Sequence, residues 1–177
     1  MNKSDIEWKF ESQCRIAINY AGLRHAFFNK VNILLCILSI ASLWCSGFVF
    51  SGGYKCVSCI LNVAGSIMLI ADVVLNLLGC NGFWKAMSDG YSELLAEFTA
   101  IRSTASVTEL EELMSRFVKF DARCNASFDA RGLIAWNEAC VQMGKNDRVK
   151  KVPWYKRLTA NFYSWGSVAD NFKADCK

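Results

Sequence analysis

Two apolar runs, Val31–Phe50 and Cys56–Leu78, stand almost back to back, with only Ser51–Lys55 between them. The first has 20 residues and no charge; the second has 23 and a single charge, Asp72. Roughly 20 apolar residues of helix cross a hydrocarbon core, and both runs reach that length. A chain of 177 residues holds too little other protein to bury two such helices on every side. The pattern therefore predicts a transmembrane helical hairpin, turning at Gly52 and Gly53, before it predicts anything else.

The expected fold class is an all-α membrane protein, a two-span hairpin with an extended cytoplasmic helical bundle. Residues 1–30 read as an N-terminal amphipathic helix on the cytoplasmic side. Residues 31–78 read as the hairpin, with spans at 31–50 and 56–78, and residues 79–177 as a cytoplasmic helical domain. A cleaved signal peptide would place its apolar stretch close behind the initiating Met, whereas mixed residues including Glu7, Glu11 and Arg15 come first here. The first span is thus expected to stay in the mature protein. Of 20 Lys and Arg, only Lys55 lies in the hairpin loop, while Arg24, Lys30 and Lys85 flank the spans on the other side. The positive-inside rule then puts both tails in the cytoplasm.

Nine Cys are scattered along the chain without the spacing of a disulfide framework, and in a reducing cytoplasm most read as small apolar fillers. Cys56 and Cys59 form one close pair. Without a second pair, and with His25 the only histidine, a metal site is not expected. A disulfide among Cys45, Cys56 and Cys59 stays open if the loop faces an oxidising space.

Periodicities are helical outside the hairpin too. Ser4 and Glu7 have capping-box spacing and predict a helix start there; Phe10, Cys14, Ala17, Ala21 and Phe28 keep one face apolar, so residues 5–50 read as one long helix. Gly79 and Gly82 allow a kink after the second span. Trp84, Met87, Tyr91, Leu94, Phe98 and Ile101 then follow 3/4 spacing, which predicts a helix packed on the first. Thr108 and Glu111 predict a second capping box opening a helix over 109–128, with Leu110, Leu113, Phe117, Phe120 and Cys124 on its apolar face. Leu133–Met143 reads as a short helix closed by Gly144.

Lys145–Arg157 carries six basic residues against one acid, Asp147, and leads into Trp154, Tyr155, Leu158, Phe162 and Trp165. Lys150, Lys151, Trp154, Tyr155, Lys156 and Arg157 are accordingly candidates for contact with an anionic bilayer surface. The alternative is that the aromatics complete the helical core and the cations are merely solvated.

Catalytic chemistry has little to stand on. One histidine beside the membrane makes no triad, no P-loop or HExxH occurs, and Glu109, Glu111 and Glu112 sit where they offset a helix dipole. No catalytic residue, cofactor or direct nucleic-acid contact is expected. The spans say more: at about 100° per residue, Asn62, Gly65, Ser66, Asp72 and Asn76 share one face of the second, and Asn32, Ser39, Ser42 and Ser46 share one of the first. Such faces are either where helices pack closely and hydrogen-bond, or the wall of a water-filled path. Asp72 lies six residues, about 9 Å, inside Leu78, too deep for its short side chain to reach the interface easily. It is expected to pair with Lys30 or Arg24 of a neighbouring first helix, or to recur as a cation-preferring ring around an oligomer axis.

Four stretches carry a family resemblance: Tyr20–Lys30 (YAGLRHAFFNK) leading into the hairpin, Glu97–Arg102 (EFTAIR), Leu133–Glu138 (LIAWNE) and Val152–Arg157 (VPWYKR). In their order, the chain resembles the SLATT family, the SMODS and SLOG-associating two-transmembrane effector domains of bacterial conflict systems. The resemblance implies an all-helical membrane protein that forms pores when a partner senses phage or makes a nucleotide signal, with no catalytic residues to carry over. Any sensor is then expected to be a separate protein. With that resemblance, the leading expectation is a homo-oligomeric pore-forming effector in the lipid bilayer of a bacterial inner membrane. The alternatives are a membrane-anchored scaffold that recruits a cytoplasmic partner and, behind it, a holin-like lysis protein.

Overall fold

The computed structural model describes residues 2–77, 80–122 and 130–160, and among these it is helical with no strand. In chain order the elements are α1 (Lys3–Ser51), α2 (Lys55–Leu77), α3 (Cys80–Ile101), α4 (Val107–Asp121), α5 (Ala130–Gln142), a 3-10 turn at Asn146–Arg148, and α6 (Trp154–Thr159). They fall into two compact units, one of residues 1–24 and 84–177 and the other of His25–Phe83. Leu78, Gly79, Cys124, Phe162, Trp165 and Cys176 lie outside the described residues, as do the side chains of Cys80 and Leu158.

The first unit is an aromatic-centred helical core. Ile6, Phe10, Cys14 and Ala21 of α1 are buried against Met87, Tyr91, Leu94 and Phe98 of α3 and Leu110, Leu113 and Phe117 of α4. The 3/4 spacing on each helix is what brings these residues to one side. Phe10 packs at 5.0 Å from Phe98 and 6.0 Å from Phe117, and Tyr91 meets Phe117 at 5.6 Å and Phe120 edge-on at 5.0 Å. Tyr91 satisfies its hydroxyl by donating to Asp121 Oδ1 at 2.6 Å. Within this core burial pushes the Cys14 thiol up to about 12, with the nearby Asp121 charge adding to the effect, so Cys14 acts as an apolar filler.

Two helix starts differ from the sequence expectation. Ser4 lies inside α1, which begins at Lys3 with the Asn2 carbonyl accepting from Asp5 and Ile6. Glu7 is drawn off to ion pairs with Lys3 at 3.9 Å and Arg102 at 3.5 Å, so it closes no capping box. On α4 the box forms two residues earlier than Thr108: Ser106 accepts from the Glu109 amide, and the Glu109 carboxylate accepts from the Ser106 amide at 2.7 Å. That places α4 at Val107–Asp121 rather than 109–128. Thr108 and Glu111 sit within the helix because Ser106, in extended conformation, already satisfies its first amides.

Helix ends follow a common rule at two places. At the hairpin turn Gly53, at φ +87°, takes the left-handed position, with the Tyr54 amide donating to Val49 O and the Gly53 amide to Phe50 O. At the end of α5, Gly144 does the same at φ +70°, with Lys145 donating to Cys140 O and Gly144 to Val141 O. Both are Schellman closures, which only glycine makes without strain. Helix α5 starts at Ala130, three residues before the expected Leu133, and buries Leu133, Ala135, Ala139 and Cys140. Gly82 lies within α3.

Gly90 generates a direct check on the core. A Cβ there would stand 2.3 Å from Phe120 Cζ, inside the van der Waals envelope of an aromatic ring held against Tyr91. Gly90→Ala is expected to cost about 1–3 kcal/mol despite its better helix propensity, read as a lowered thermal midpoint by circular dichroism. The α4 cap supplies a pH test. The amide and hydroxyl of Ser106 hold the Glu109 carboxyl below its usual range, so its stabilising effect is present above that range and fades as pH falls through it. Destabilisation by Ser106→Ala should therefore be larger at about pH 7 than at about pH 3.

Candidate functional site

Helices of the second unit lie antiparallel, and their contact is made by small and polar side chains. Ser46 and Ser58 exchange hydrogen bonds: the two hydroxyls are 2.9 Å apart, Ser46 donates to the Ser58 carbonyl at 3.1 Å, and Ser58 to the Ser46 carbonyl at 3.0 Å. Ser42 donates to Leu61 O at 2.6 Å, and Asn32 Nδ2 donates to Asn76 Oδ1 at 2.8 Å. Gly65 is buried where a Cβ would meet Ser42 Cβ and Oγ at 3.3 Å and Ser39 O at 3.4 Å. Ser39, fully buried, turns its hydroxyl back onto Leu35 O at 2.6 Å. Small residues let the backbones approach, and hydroxyls that reach across stay satisfied without water.

These contacts divide the polar faces read from the sequence. Asn32, Ser39, Ser42, Ser46, Gly65 and Asn76 sit at or beside the seam between the two helices. Asn62 and Ser66 do not: both are exposed, and Ser66 bonds only back to Asn62 O at 2.8 Å. Asp72 is partly buried, and its Oδ1 is fully enclosed with no hydrogen-bond partner, as is Asn32 Oδ1. Asp72 lies one turn of α2, about 6 Å of rise, from Asn76, the residue bonded to Asn32.

The two cations named for Asp72 are differently placed. Arg24 donates to the Tyr20 hydroxyl at 3.0 Å and lies 5.4 Å from the Tyr20 ring and 5.8 Å from that of Trp84. Lys30 is exposed and, among the described residues, forms no ion pair with Asp72.

Around the seam the hairpin is apolar and uncovered. Both helices are long and apolar enough to cross a membrane, and only 11% of each apolar window is buried within the protein. A core helix of a soluble protein would be mostly buried; here Trp44, Phe48, Ile60, Ile67 and Ile70 all stand exposed. The hairpin cysteines share this exposure. Cys36, Cys45, Cys56 and Cys59 are free thiols on the outside of the helices, so the filler reading holds for Cys14 and Cys140 and is corrected for these four.

The basic segment is a separate feature, in the first unit. Val149–Pro153 runs extended between the 3-10 turn and α6, held by the Asn137 side chain, which donates to Lys150 O at 2.7 Å and accepts from the Lys150 amide at 2.9 Å. Trp154 is 73% exposed and Tyr155 46%, so the core alternative does not hold for these two aromatics. Lys145 and Arg148 lie over the Trp8 ring, at 5.9 and 5.6 Å from its centroid, which ties the start of the segment to α1. Sequence spacing showed the basic run but not this anchoring, since Asn137 lies 13 residues from its partner.

Among the described residues no group of three or more His, Cys, Asp or Glu could hold a metal ion. Comparison with protein-family models, curated proteins and solved structures finds no match to this chain. Two constellations stand out among the described residues, the polar seam with Asp72 and the basic segment with its exposed aromatics.

The seam is open to test through Gly65. Gly65→Leu would force a branched side chain against Ser42 and the Ser39 carbonyl and is expected to separate the helices, costing about 1–3 kcal/mol. Asn62→Ala, on the exposed side, should be nearly neutral. Resistance to unfolding by titrated sodium dodecyl sulfate in mixed micelles reads both.

Proposed function

We propose that this protein is a bacterial inner-membrane effector whose hairpins self-associate and, on a signal from a separate sensor protein, let ions or small solutes across in anti-phage or conflict defence. In this reading both tails are cytoplasmic, the lipid bilayer covers the apolar hairpin, and the helical unit of α3–α6 with the start of α1 receives the trigger. The observation that carries it is Asp72. A carboxylate in hydrocarbon costs a few kcal/mol on insertion scales, and here one oxygen is enclosed without a partner in the protein. A single hairpin encloses no conduit; assembly with further copies supplies the path, and Asp72 meets water in its open state. Asn62 and Ser66 add exposed polarity to the same helix, which suits them to such an interface. The resemblance to SLATT proteins supports the effector role and the separate trigger.

A second reading draws on the seam itself. Asn32, Ser39, Ser42, Ser46, Gly65 and Asn76 are engaged within one hairpin, which makes it complete as an anchor. The protein would then be a scaffold that holds a helical platform at the membrane and recruits a cytoplasmic partner there.

Reconstitution into dye-loaded liposomes separates the two. The channel reading expects leakage when the candidate sensor is added, and altered leakage in Asp72→Leu. Absence of leakage under every trigger contradicts it. Exchange of the hairpin for an unrelated two-span anchor should abolish activity in cells for a channel and preserve it for a scaffold.

A further inference from the structure

A cleft of about 600 Å³ opens between α5 and the extended segment that follows it, and its lining is of two kinds. Lys150, Lys151 and Arg157 bring positive charge, while Ile134, Val152 and Pro153 are among its apolar lining. Glu138 is the one acid among the described lining residues. Burial pushes its carboxyl above the usual range, and the Arg131 and Arg157 charges pull it back. Three cations against one carboxylate leave the cleft positive. Lys151 and Arg157 form no ion pair among the described residues.

The wall that carries the lysines is fixed in advance. The paired hydrogen bonds between Asn137 and the Lys150 backbone hold the extended segment against α5, so a ligand has little backbone to order on arrival. Trp154 follows Pro153 directly and exposes most of its indole, with Tyr155 edge-on at 6.2 Å. A small soluble anion would use the cations alone. An anionic head attached to an apolar body would use the cations, the apolar lining and the exposed aromatics together.

We propose that this cleft binds the phosphate headgroup of an anionic phospholipid, with Lys151 and Arg157 on the phosphate and Trp154 in the headgroup layer. Arg presents a planar fork to phosphate oxygens, and Lys adds a mobile point charge. The assignment rests on the reading of the hairpin as membrane-embedded, and it is independent of whether the assembled hairpins conduct.

Native mass spectrometry on the full chain in neutral detergent, titrated with phosphatidylglycerol or phosphatidylcholine, tests it. Wild type should retain phosphatidylglycerol in preference to phosphatidylcholine by about tenfold or more. Lys151→Gln with Arg157→Gln should remove that preference, Trp154→Ala should weaken retention, and Lys151→Arg should keep both. Added glycerol 3-phosphate should fail to displace the lipid. Displacement by glycerol 3-phosphate with no effect of Trp154→Ala would identify a soluble phosphate ester as the ligand and overturn the lipid assignment. A preference unchanged by the double substitution would overturn the site, provided circular dichroism gives the variant the helix content of wild type. The same preparation keeps the underlying premise separate. A chain that purifies without detergent contradicts the membrane reading, whereas one that needs detergent yet shows no anionic preference contradicts the cleft alone.

Discussion

Apolar surface that a protein does not cover itself must be covered by something else, and the hairpin of this chain covers little of its own. Two adjacent helices expose nearly all of their Leu, Ile, Val and Phe side chains, and their mutual contact uses serines, asparagines and a glycine. This inverts the arrangement of a water-soluble helical pair, in which apolar side chains face each other and polar ones face out. It is the arrangement favoured where the surroundings are as apolar as leucine and burial between helices gains nothing.

The contrast with the first unit sharpens the point, because both architectures occur in one short chain. There Phe10, Tyr91, Phe98 and Phe117 interlock in a core that water drives together, with ion pairs such as Arg102 to Glu7 and Glu11 at its edge. Those pairs are partly exposed and contribute little energy; the aromatic contacts dominate. Helix α1 serves both units, with Phe10, Cys14 and Ala21 facing the aromatic core and Ser39, Ser42 and Ser46 facing α2. The residue type changes along one helix, from aromatic and aliphatic contacts in the first unit to small and polar ones in the second.

Much of this was legible in the sequence because it is written in periodicity. The apolar faces of α3 and α4 follow strict 3/4 spacing, and the residues named for them, apart from Cys124, which lies outside the described residues, form the core or pack against it. What was not legible depends on competition between partners. Ser4 and Glu7 have the spacing of a capping box, yet Arg102, 95 positions from Glu7 in the chain, takes the carboxylate. Thr108 and Glu111 have it too, yet Ser106 reaches the amides first. The polar faces of the spans were visible as faces, but spacing on one helix does not say which members meet the other helix. Only the register, set at Ser46–Ser58 and Asn32–Asn76, separates the seam residues from Asn62 and Ser66 and leaves Asp72 unmatched. Nor does composition reveal that Asn137 anchors the basic segment.

Alkaline carbonate extraction of cell membranes that contain the full chain bears most directly on the central claim, that the hairpin resides in lipid. High pH strips proteins held by charge or by partners and leaves those whose apolar helices span the hydrocarbon. A hairpin in lipid keeps the protein in the pellet until detergent releases it. Recovery in the supernatant as a folded, monodisperse species would show that the hairpin does not reside there.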